Sequence, residues 1–483
     1  MKPVLQHRWR LEETREGPFL VYYGLRNPPR NLHQVLEVSP QAARAIGGMD
    51  GSLAWEDLAR DPSLEAELRG LRDRGCIVDI GERRIPATPE RHRSCIRCIH
   101  NDFLIPGLEF DERGLCAFCQ CYERGAPPRR SIVEAFTEER LLDEIRRNRD
   151  SRFDAMILFT GGKDSSFLLW HAARRLGLRV LAAFWNMPYT HETARENIRR
   201  CIRRLPEVEF IEWSLPWNMV KKAMRGQWGQ VGTPCLCPTA AFALFYPLAF
   251  QHGIPFILFG MEDVQTAVVD YVFPIAPSPD SGRRPPSHRE STLNFLKTRA
   301  LPHPLRKALQ WRTELANYHA SIRSQLASLF LPLQDIVARA EADPELEIPL
   351  VTRIRTKESY GDWGSAIDLL GRELDWRMPP QQKAMLHTSC RIEAVKDYVQ
   401  YMRFKNMRTV FFPQSLVELS ASVFFGFLSC EEALHQAEEL GCPGPPEVLY
   451  GLLDDLDITA DEVKGCGNEM PYALREALEG KSA

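Results

Sequence analysis

Residues Phe159 to Ser166 read FTGGKDSS. An apolar run, Ala155 to Leu158 (AMIL), leads into them, and Phe167 to Gly177 (FLLWHAARRLG) follows. Two glycines, a lysine, an acid and two hydroxyls between a strand-like and a helix-like segment point to a phosphate site. A Walker A loop requires a glycine five residues before the Gly-Lys pair and Ser or Thr after the lysine. Those positions hold Ile157 and Asp164. The dinucleotide fingerprint G-x-G-x-x-G is also absent.

What remains is a strand (DAMILF, 154–159), a tight glycine turn and a helix (SSFLLWHAARRL, 165–176), then a second strand (RVLAAFW, 179–185). Phe167, Trp170, Ala173 and Leu176 share one helix face, and Gly177 is a natural stop. Exposed N–H groups at the helix start, aided by the helix dipole, can hold an anion. Gly161 and Gly162 allow close backbone approach, Lys163 adds charge, Ser165 and Ser166 donate hydrogen bonds, and Asp164 can hold magnesium. The plainer alternative is a strand-to-helix turn with an ordinary Asp or Ser cap. Against it, every non-glycine residue from Thr160 to Ser166 is polar.

Outward from this unit, residues 130–265 alternate apolar runs with amphipathic segments, the pattern of a parallel α/β sheet. The stretch AAFALFYPLAFQHGIPFILFG (240–260) is broken by Gln251-His252-Gly253 and two prolines, so it reads as a buried helix and a buried strand, with no membrane span. Residues 266–345 contain FPIAPSPDSGRRPPSHRES (273–291), read as a long loop or lid, and a helical segment over 305–330. Residues 346–483 read as mostly helical. Residues 1–85 form a small unit of short helices ending in a strand, with Ser39-Pro40 and Asp61-Pro62 as caps.

Between these parts, residues 90–125 hold Cys95-x-x-Cys98 and Cys116-x-x-Cys119, seventeen residues apart. That is the spacing of a zinc ribbon, in which four thiolates close a tetrahedral structural site. Asp111 to Gly114 supplies a turn between the knuckles. Cys121 is a fifth thiol nearby, and an iron–sulfur site or unliganded thiols are the alternatives to zinc. The chain has 483 residues, 44% hydrophobic and 26% charged, with net charge -3 and thirteen cysteines. The balance offers no electrostatic reason for a nucleic-acid partner. With no apolar stretch of signal-peptide type at the N-terminus, the expectation is a cytoplasmic protein with reduced thiols or metal ligands.

TGGKDSS resembles the S-G-G-x-D-S motif of the PP-loop (N-type) ATP pyrophosphatases, with Thr160 keeping the hydroxyl of the usual serine. The resemblance implies an adenine-nucleotide α-hydrolase-like fold, ATP with magnesium as ligand, adenylation of a substrate oxygen and release of pyrophosphate. It implies ATP contacts from Thr160, Gly161, Gly162, Lys163, Asp164, Ser165 and Ser166, with Lys163 and Asp164 catalytic. AAFWNMPYTHETARENI (182–198) resembles the second strand and helix of that family, placing Phe184 and Asn186 near adenine. IPFILFGMED (254–263) resembles its later strand, with Gly260 near the nucleotide.

Together with CIRCIHNDFLIPGLEFDERGLCAFCQCY (95–122) and HGIPFILFG (252–260), the chain is similar to the N-acetyl sugar amidotransferases of surface-polysaccharide biosynthesis. That similarity covers about residues 90–265 and, in part, 355–440. It implies activation of an acetamido oxygen and displacement of AMP by ammonia. Met261 intervenes before Glu262 where that family has Gly-Glu, and the stretch 270–345 is longer than expected. No cysteine lies in a G-x-C-x-G turn or follows Met1, so a separate glutaminase subunit is expected to deliver ammonia.

Two features point to other acceptors. Cys235 and Cys237 (GTPCLCPTAA), with Cys390 (HTSCRIE), are candidates for a second cluster or sulfur carrier, as in PP-loop enzymes that thiolate tRNA. The alternative is small buried residues. SPQAARAIGGMDGSLAWEDLA (39–59) with LEAELRGLRDRGCIVDI (64–80) resembles the small winged-helix peptide-binding domains of ribosomal-peptide-modifying systems, implying a peptide acceptor for the same chemistry.

Overall fold

The computed structural model describes residues 1–14, 17–22, 35–58, 61–85, 87–105, 108–123, 135–147, 151–231, 234–260, 286–302, 313–356, 362–380, 384–405, 414–442 and 444–459. At the N-terminus, β1 (Pro3–Leu5) precedes a three-stranded antiparallel sheet of β2 (Trp9–Thr14), β3 (Gly17–Tyr22) and β4 (Val35–Glu37). Then come α1 (Pro40–Gly47), α2 (Trp55–Leu58), α3 (Pro62–Asp73) and β5 (Ile77–Asp79), which pairs antiparallel with β1. Both expected caps form: the side chain of Ser39 accepts from Ala42 N–H and that of Asp61 from Ser63 and Leu64 N–H. The β2–β4 sheet went unread in the sequence.

After α4 (Ala117–Glu123), the chain enters a six-stranded parallel sheet. In chain order its elements begin with β6 (Ala135–Thr137), α5 (Glu138–Arg147), β7 (Ala155–Leu158), α6 (Lys163–Trp170), β8 (Val180–Trp185), α7 (Glu192–Arg204) and β9 (Glu209–Trp213). They continue with α8 (Trp217–Val231), α9 (Thr239–Gln251), β10 (Phe256–Leu258), α10 (His288–Ala300), α11 (Thr313–Gln325), α12 (Ala327–Ala342) and β11 (Leu350–Arg355). The spatial order is β6-β11-β10-β7-β8-β9, every neighbouring pair parallel. Five helices complete the described chain: α13 (Trp363–Leu374), α14 (Ile392–Lys405), α15 (Gln414–Phe424), α16 (Cys430–Leu440) and α17 (Val448–Asp455).

A parallel sheet must be covered on both faces, and the period-2 alternation of side chains divides its strands accordingly. Met156, Leu181, Ala183, Trp185, Ile257 and Val351 face one core, built with α8, α9, α10, α12, α14 and α17. Ala155, Ile157, Val180, Ala182, Phe184, Phe256 and Leu258 face the other, built with α5, α6, α7 and α13. The buried stretch 240–260 is indeed a helix, α9, and a strand, β10.

The segment after 346 is mostly helical, and its one described strand, β11, inserts between β6 and β10. One reading changes. Residues 288–291, read as loop, are the first turn of α10: Ser287 and Glu290 form a reciprocal capping box that starts a helix despite the preceding prolines. Residues 261–285, including Met261, Glu262 and most of the expected lid, lie outside the described residues.

Candidate functional site

The strand order fixes where a ligand can enter. From β7 the chain runs outward to β8 and β9, then returns to place β10 on the other side of β7. In open parallel sheets the crevice beyond the carboxyl ends of strands at such a reversal is the ligand site. The turn after β7 is Thr160–Gly162, and the residues after β10 are Phe259 and Gly260. A side chain at Gly260 would place its Cβ 3.7 Å from Ser165 Cα and N, so the second strand end lies against the first turn of α6.

The turn is built for close approach. Gly161 has φ +74, and a Cβ there would lie 2.2 Å from the Ala194 carbonyl oxygen of α7. No other residue type fits without moving backbone. Gly162 is the N-cap of α6, and Lys163 N–H donates to Thr388 Oγ1 at 3.0 Å. Trp376 Nε1–H donates to Gly161 O at 2.9 Å. Fully buried Asn197 of α7 fixes the adjoining backbone by donating to Arg377 O (2.7 Å) and accepting from Arg377 N–H (2.9 Å).

The side chains expected to act are assembled there, with differing exposure. Thr160 is exposed, its hydroxyl 3.0 Å from Ser165 Oγ, which also accepts from Thr160 N–H. Lys163 is 3% exposed; its ammonium pairs with the Asp164 carboxylate and lies 4.7 Å from the centre of the Trp363 ring. Ser166 is fully buried, its hydroxyl beside the Cys201 thiol of α7.

Asn186, at the carboxyl end of β8, donates to Glu212 Oε1 at 2.6 Å and accepts from Arg195. Phe184 is a core residue, packed between the sheet and its helices. The period-2 pattern of VLAAFW places it on the same face of the sheet as Val180 and Ala182, near the carboxyl end of β8.

Sequence reading reached the far wall of the crevice only at Cys390, within HTSCRIE. Residues 388–391 lie across the turn: Ser389 O accepts from His191 N–H at 3.0 Å, and Arg391 N–H donates to Tyr189 O at 2.9 Å. His387, with φ +58, sits in the left-handed region that non-glycine residues occupy at a cost. Its Nε2 lies 2.8 Å from Asp397 Oδ2 and 2.6 Å from Ser415 Oγ, and Ser415 also donates to Asp397. Burial opposes charge on both partners. The nearby Asp397 carboxylate nevertheless raises His387, and His387 and Lys396 hold Asp397 low.

A raised histidine contributes stability that is complete below about pH 6.5 and fades as pH rises through its folded value. A depressed aspartate contributes stability present above about pH 4 and lost as pH falls through its folded value. Asp397→Asn is therefore expected to cost about 3–5 kcal/mol, as breaking a buried pair does. In urea titrations the difference from wild type should be largest near pH 5–6 and shrink toward both extremes. A pH-independent difference would refute the ion pair.

Glu393 and Glu418 complete this wall. Burial pushes the Glu418 carboxyl up to about 7, and burial also raises Glu393. Cys237 neighbours Cys235, Cys390 and Glu393. Burial and these neighbours push its thiol well above the ordinary range. Burial and Glu393 do the same to Cys390. The three named thiols thus come together across the fold. Among the described residues, however, only the four cysteines of the N-terminal knuckles bring three or more ligand atoms within 4.8 Å of one another.

Those four are Cys95, Cys98, Cys116 and Cys119, all buried. Metal–sulfur bonds of about 2.3 Å in a tetrahedron give sulfur–sulfur edges of about 3.8 Å. The Cys95–Cys119 pair stands at 3.8 Å and Cys98–Cys116 at 3.7 Å, so the cage can hold a metal such as zinc. N–H groups of Arg97 and Cys116 point at Cys95 Sγ (3.5 and 3.3 Å), and His100 Nδ1 lies 3.2 Å from Cys98 Sγ. The expected turn forms, Gly114 N–H donating to Asp111 O. The Cys121 side chain is outside the described residues.

The knot packs on Trp363, Leu386, Tyr401, Phe404, Val417 and Leu419, the elements behind the far wall of the crevice. No protein-family model matches the chain, and no curated protein matches it. Among the described residues no helix is long and apolar enough to cross a membrane.

Proposed function

We propose that the chain is an ATP-dependent enzyme of the PP-loop class that adenylates an acceptor carbonyl oxygen, an acetamido sugar being the acceptor, and exchanges AMP for ammonia. The observation that carries this reading is the placement of Thr160–Ser166 at the reversal of a parallel sheet, with Gly260 against it. On this reading the sheet is of the adenine-nucleotide α-hydrolase type, the four-cysteine knot is a structural zinc ribbon, and residues 1–85 are a winged-helix-like accessory. The setting is cytoplasmic, and a separate glutaminase supplies ammonia.

ATP enters the crevice as substrate, its phosphates toward the first turn of α6. Thr160 and Ser165 offer hydroxyls, and Lys163 offers a cation already fixed in place. Magnesium, when bound by Asp164, neutralises phosphate charge. Catalysis is positional and electrostatic: the acceptor oxygen attacks the α-phosphorus, pyrophosphate departs, and the carbon becomes open to a nitrogen nucleophile.

The products of ATP turnover test the reading. Phosphorus NMR is run with ammonium and a panel of acetamido sugars, peptide and tRNA. AMP and pyrophosphate, stimulated by acetamido sugars, are expected; ADP and phosphate would refute the chemistry. The meeting of Cys235, Cys237 and Cys390 beside the loop favours a second reading, sulfur transfer, in which Cys235→Ser abolishes turnover. The Cys237 and Cys390 thiols, pushed well above the ordinary range, are poor nucleophiles, which places this reading second.

A further inference from the structure

We propose that His387 is a positioning residue for the nucleotide turn: tied to Asp397 and Ser415, it holds the bend that seats the Thr388 hydroxyl on the first amide of α6. The proposal rests on the ATP reading above, which makes Thr160–Ser166 the turn that carries the phosphates.

The contacts from His387 to the turn are continuous. Thr388 is buried, and its Oγ1 accepts from Lys163 N–H at 3.0 Å. A Cβ at Gly162 would lie 3.1 Å from that hydroxyl and 3.0 Å from Ser389 Cβ, so residues 388 and 389 pack directly on the turn. Beyond them the segment is secured to the loop before α7. His191 N–H donates to Ser389 O, Arg391 N–H donates to Tyr189 O, and Thr190 forms an antiparallel bridge with Cys390. The end nearer Thr388 is secured by His387.

The backbone of His387 has φ +58. A residue with a Cβ enters this region at a cost and stays there only where its surroundings compensate. The compensation is the ring: Nε2 lies 2.8 Å from Asp397 Oδ2 and 2.6 Å from Ser415 Oγ. The Ser415 hydroxyl in turn donates to Asp397. Asp397 is buried on α14 and Ser415 is buried on α15, so two helices converge on one ring nitrogen.

This triangle does not make a nucleophile. In a serine triad the acid and the hydroxyl occupy opposite ring nitrogens, which lets the ring take the serine proton. Here both partners share Nε2, and the serine proton is given to the acid. Such an arrangement fixes the ring, and through the bend it fixes Thr388.

The consequence is positional. Lys163 N–H is the first amide of α6, and the same residue carries the cation of the proposed mechanism. Movement of the turn shifts both, and misplacement of about 1 Å can cost about 10²-fold in rate.

The test uses full-length protein labelled with nitrogen-15 lysine. The Lys163 amide resonance is identified by its loss in Lys163→Arg. Thr388→Val, which removes the acceptor, supplies the reference shift for the broken bond. Two substitutions then separate backbone from side chain. His387→Asn accepts a left-handed backbone readily, but its amide reaches only the place of ring Nδ1. His387→Gln puts an amide nitrogen at the place of Nε2. The Asn variant should shift the Lys163 amide as Thr388→Val does and lower turnover by about 10–100-fold, in kcat more than in KM. The Gln variant should restore the resonance and most of the turnover.

A merely structural histidine would change the melting temperature without shifting the amide. A folded His387→Asn with the wild-type Lys163 resonance therefore overturns the proposal. If that variant does not fold, Ser415→Ala carries the test: the amide should shift in the same direction, and an unshifted amide overturns the brace. The resonance is read without nucleotide, and products are assayed separately. AMP and pyrophosphate with an unshifted amide refute the brace alone, whereas a shifted amide with ADP as product refutes the adenylating reading and leaves the brace.

Discussion

Lys163→Ala is expected to lower ATP turnover to AMP and pyrophosphate by about 10²–10³-fold, the effect of removing one preorganised donor from a developing negative charge. The size follows from where the ammonium lies. It is 3% exposed, held between the Asp164 carboxylate and the face of Trp363, so its orientation is set before substrate arrives. Removing it also takes the Lys163 counter-charge away from Asp164. Lys163→Met, which keeps much of the length and loses the charge, should fail equally, and both variants should show the loss in kcat more than in KM. Steady-state pyrophosphate release beside a thermal melt separates the catalytic effect from unfolding. A folded Lys163→Ala with wild-type turnover would remove this residue from the mechanism.

Stripping metal from the four-cysteine cage, or Cys116→Ser, is expected to unfold the knot and carry part of the neighbouring core with it. Structural zinc contributes about 10–16 kcal/mol of apparent binding free energy in small domains, against about 5–15 kcal/mol for the net stability of a whole domain. The cysteines share one apolar cluster with Trp363, Leu386, Tyr401, Phe404, Val417 and Leu419. Trp363 stacks on Lys163, so loss of metal should also lower turnover although no cysteine of the cage touches the crevice. Atomic absorption should find one zinc per chain, and chelation should lower the melting temperature. A metal-free protein with unchanged melting would refute a structural role.

The parts legible in the sequence were those with local causes. DAMILF, the glycine turn and the helix after it are specified by neighbours in the chain. The two CxxC knuckles and the Ser39-Pro40 and Asp61-Pro62 caps are likewise written within a few residues. The unread parts depend on distant partners. LVTRIR (350–355) is a strand only because β10 and β6 lie on either side of it. His387, Asp397 and Glu418 belong to the site because the C-terminal helices fold back over a turn more than two hundred residues earlier, as the Thr388–Lys163 bond shows. One signal was present: Glu418 is a lone acid in the otherwise uncharged stretch SLVELSASVFF (415–425). A single charge in such a run is either paired in the core or placed for a ligand.

The two bonds that set the nucleotide turn, from Trp376 to Gly161 and from Lys163 to Thr388, span 215 and 225 positions. A ribosome releases the glycine turn long before it releases the residues that hold it. At synthesis rates of about 5–20 residues per second, that interval is on the order of ten seconds or more. During it, the strand and helix can form, but the turn has neither its indole donor nor its hydroxyl acceptor, and the wall carrying Glu393 and Glu418 does not exist. On the proposed ATP-dependent reading, the nascent chain is thereby kept from spending nucleotide before it is whole, and this safeguard is supplied by chain order alone.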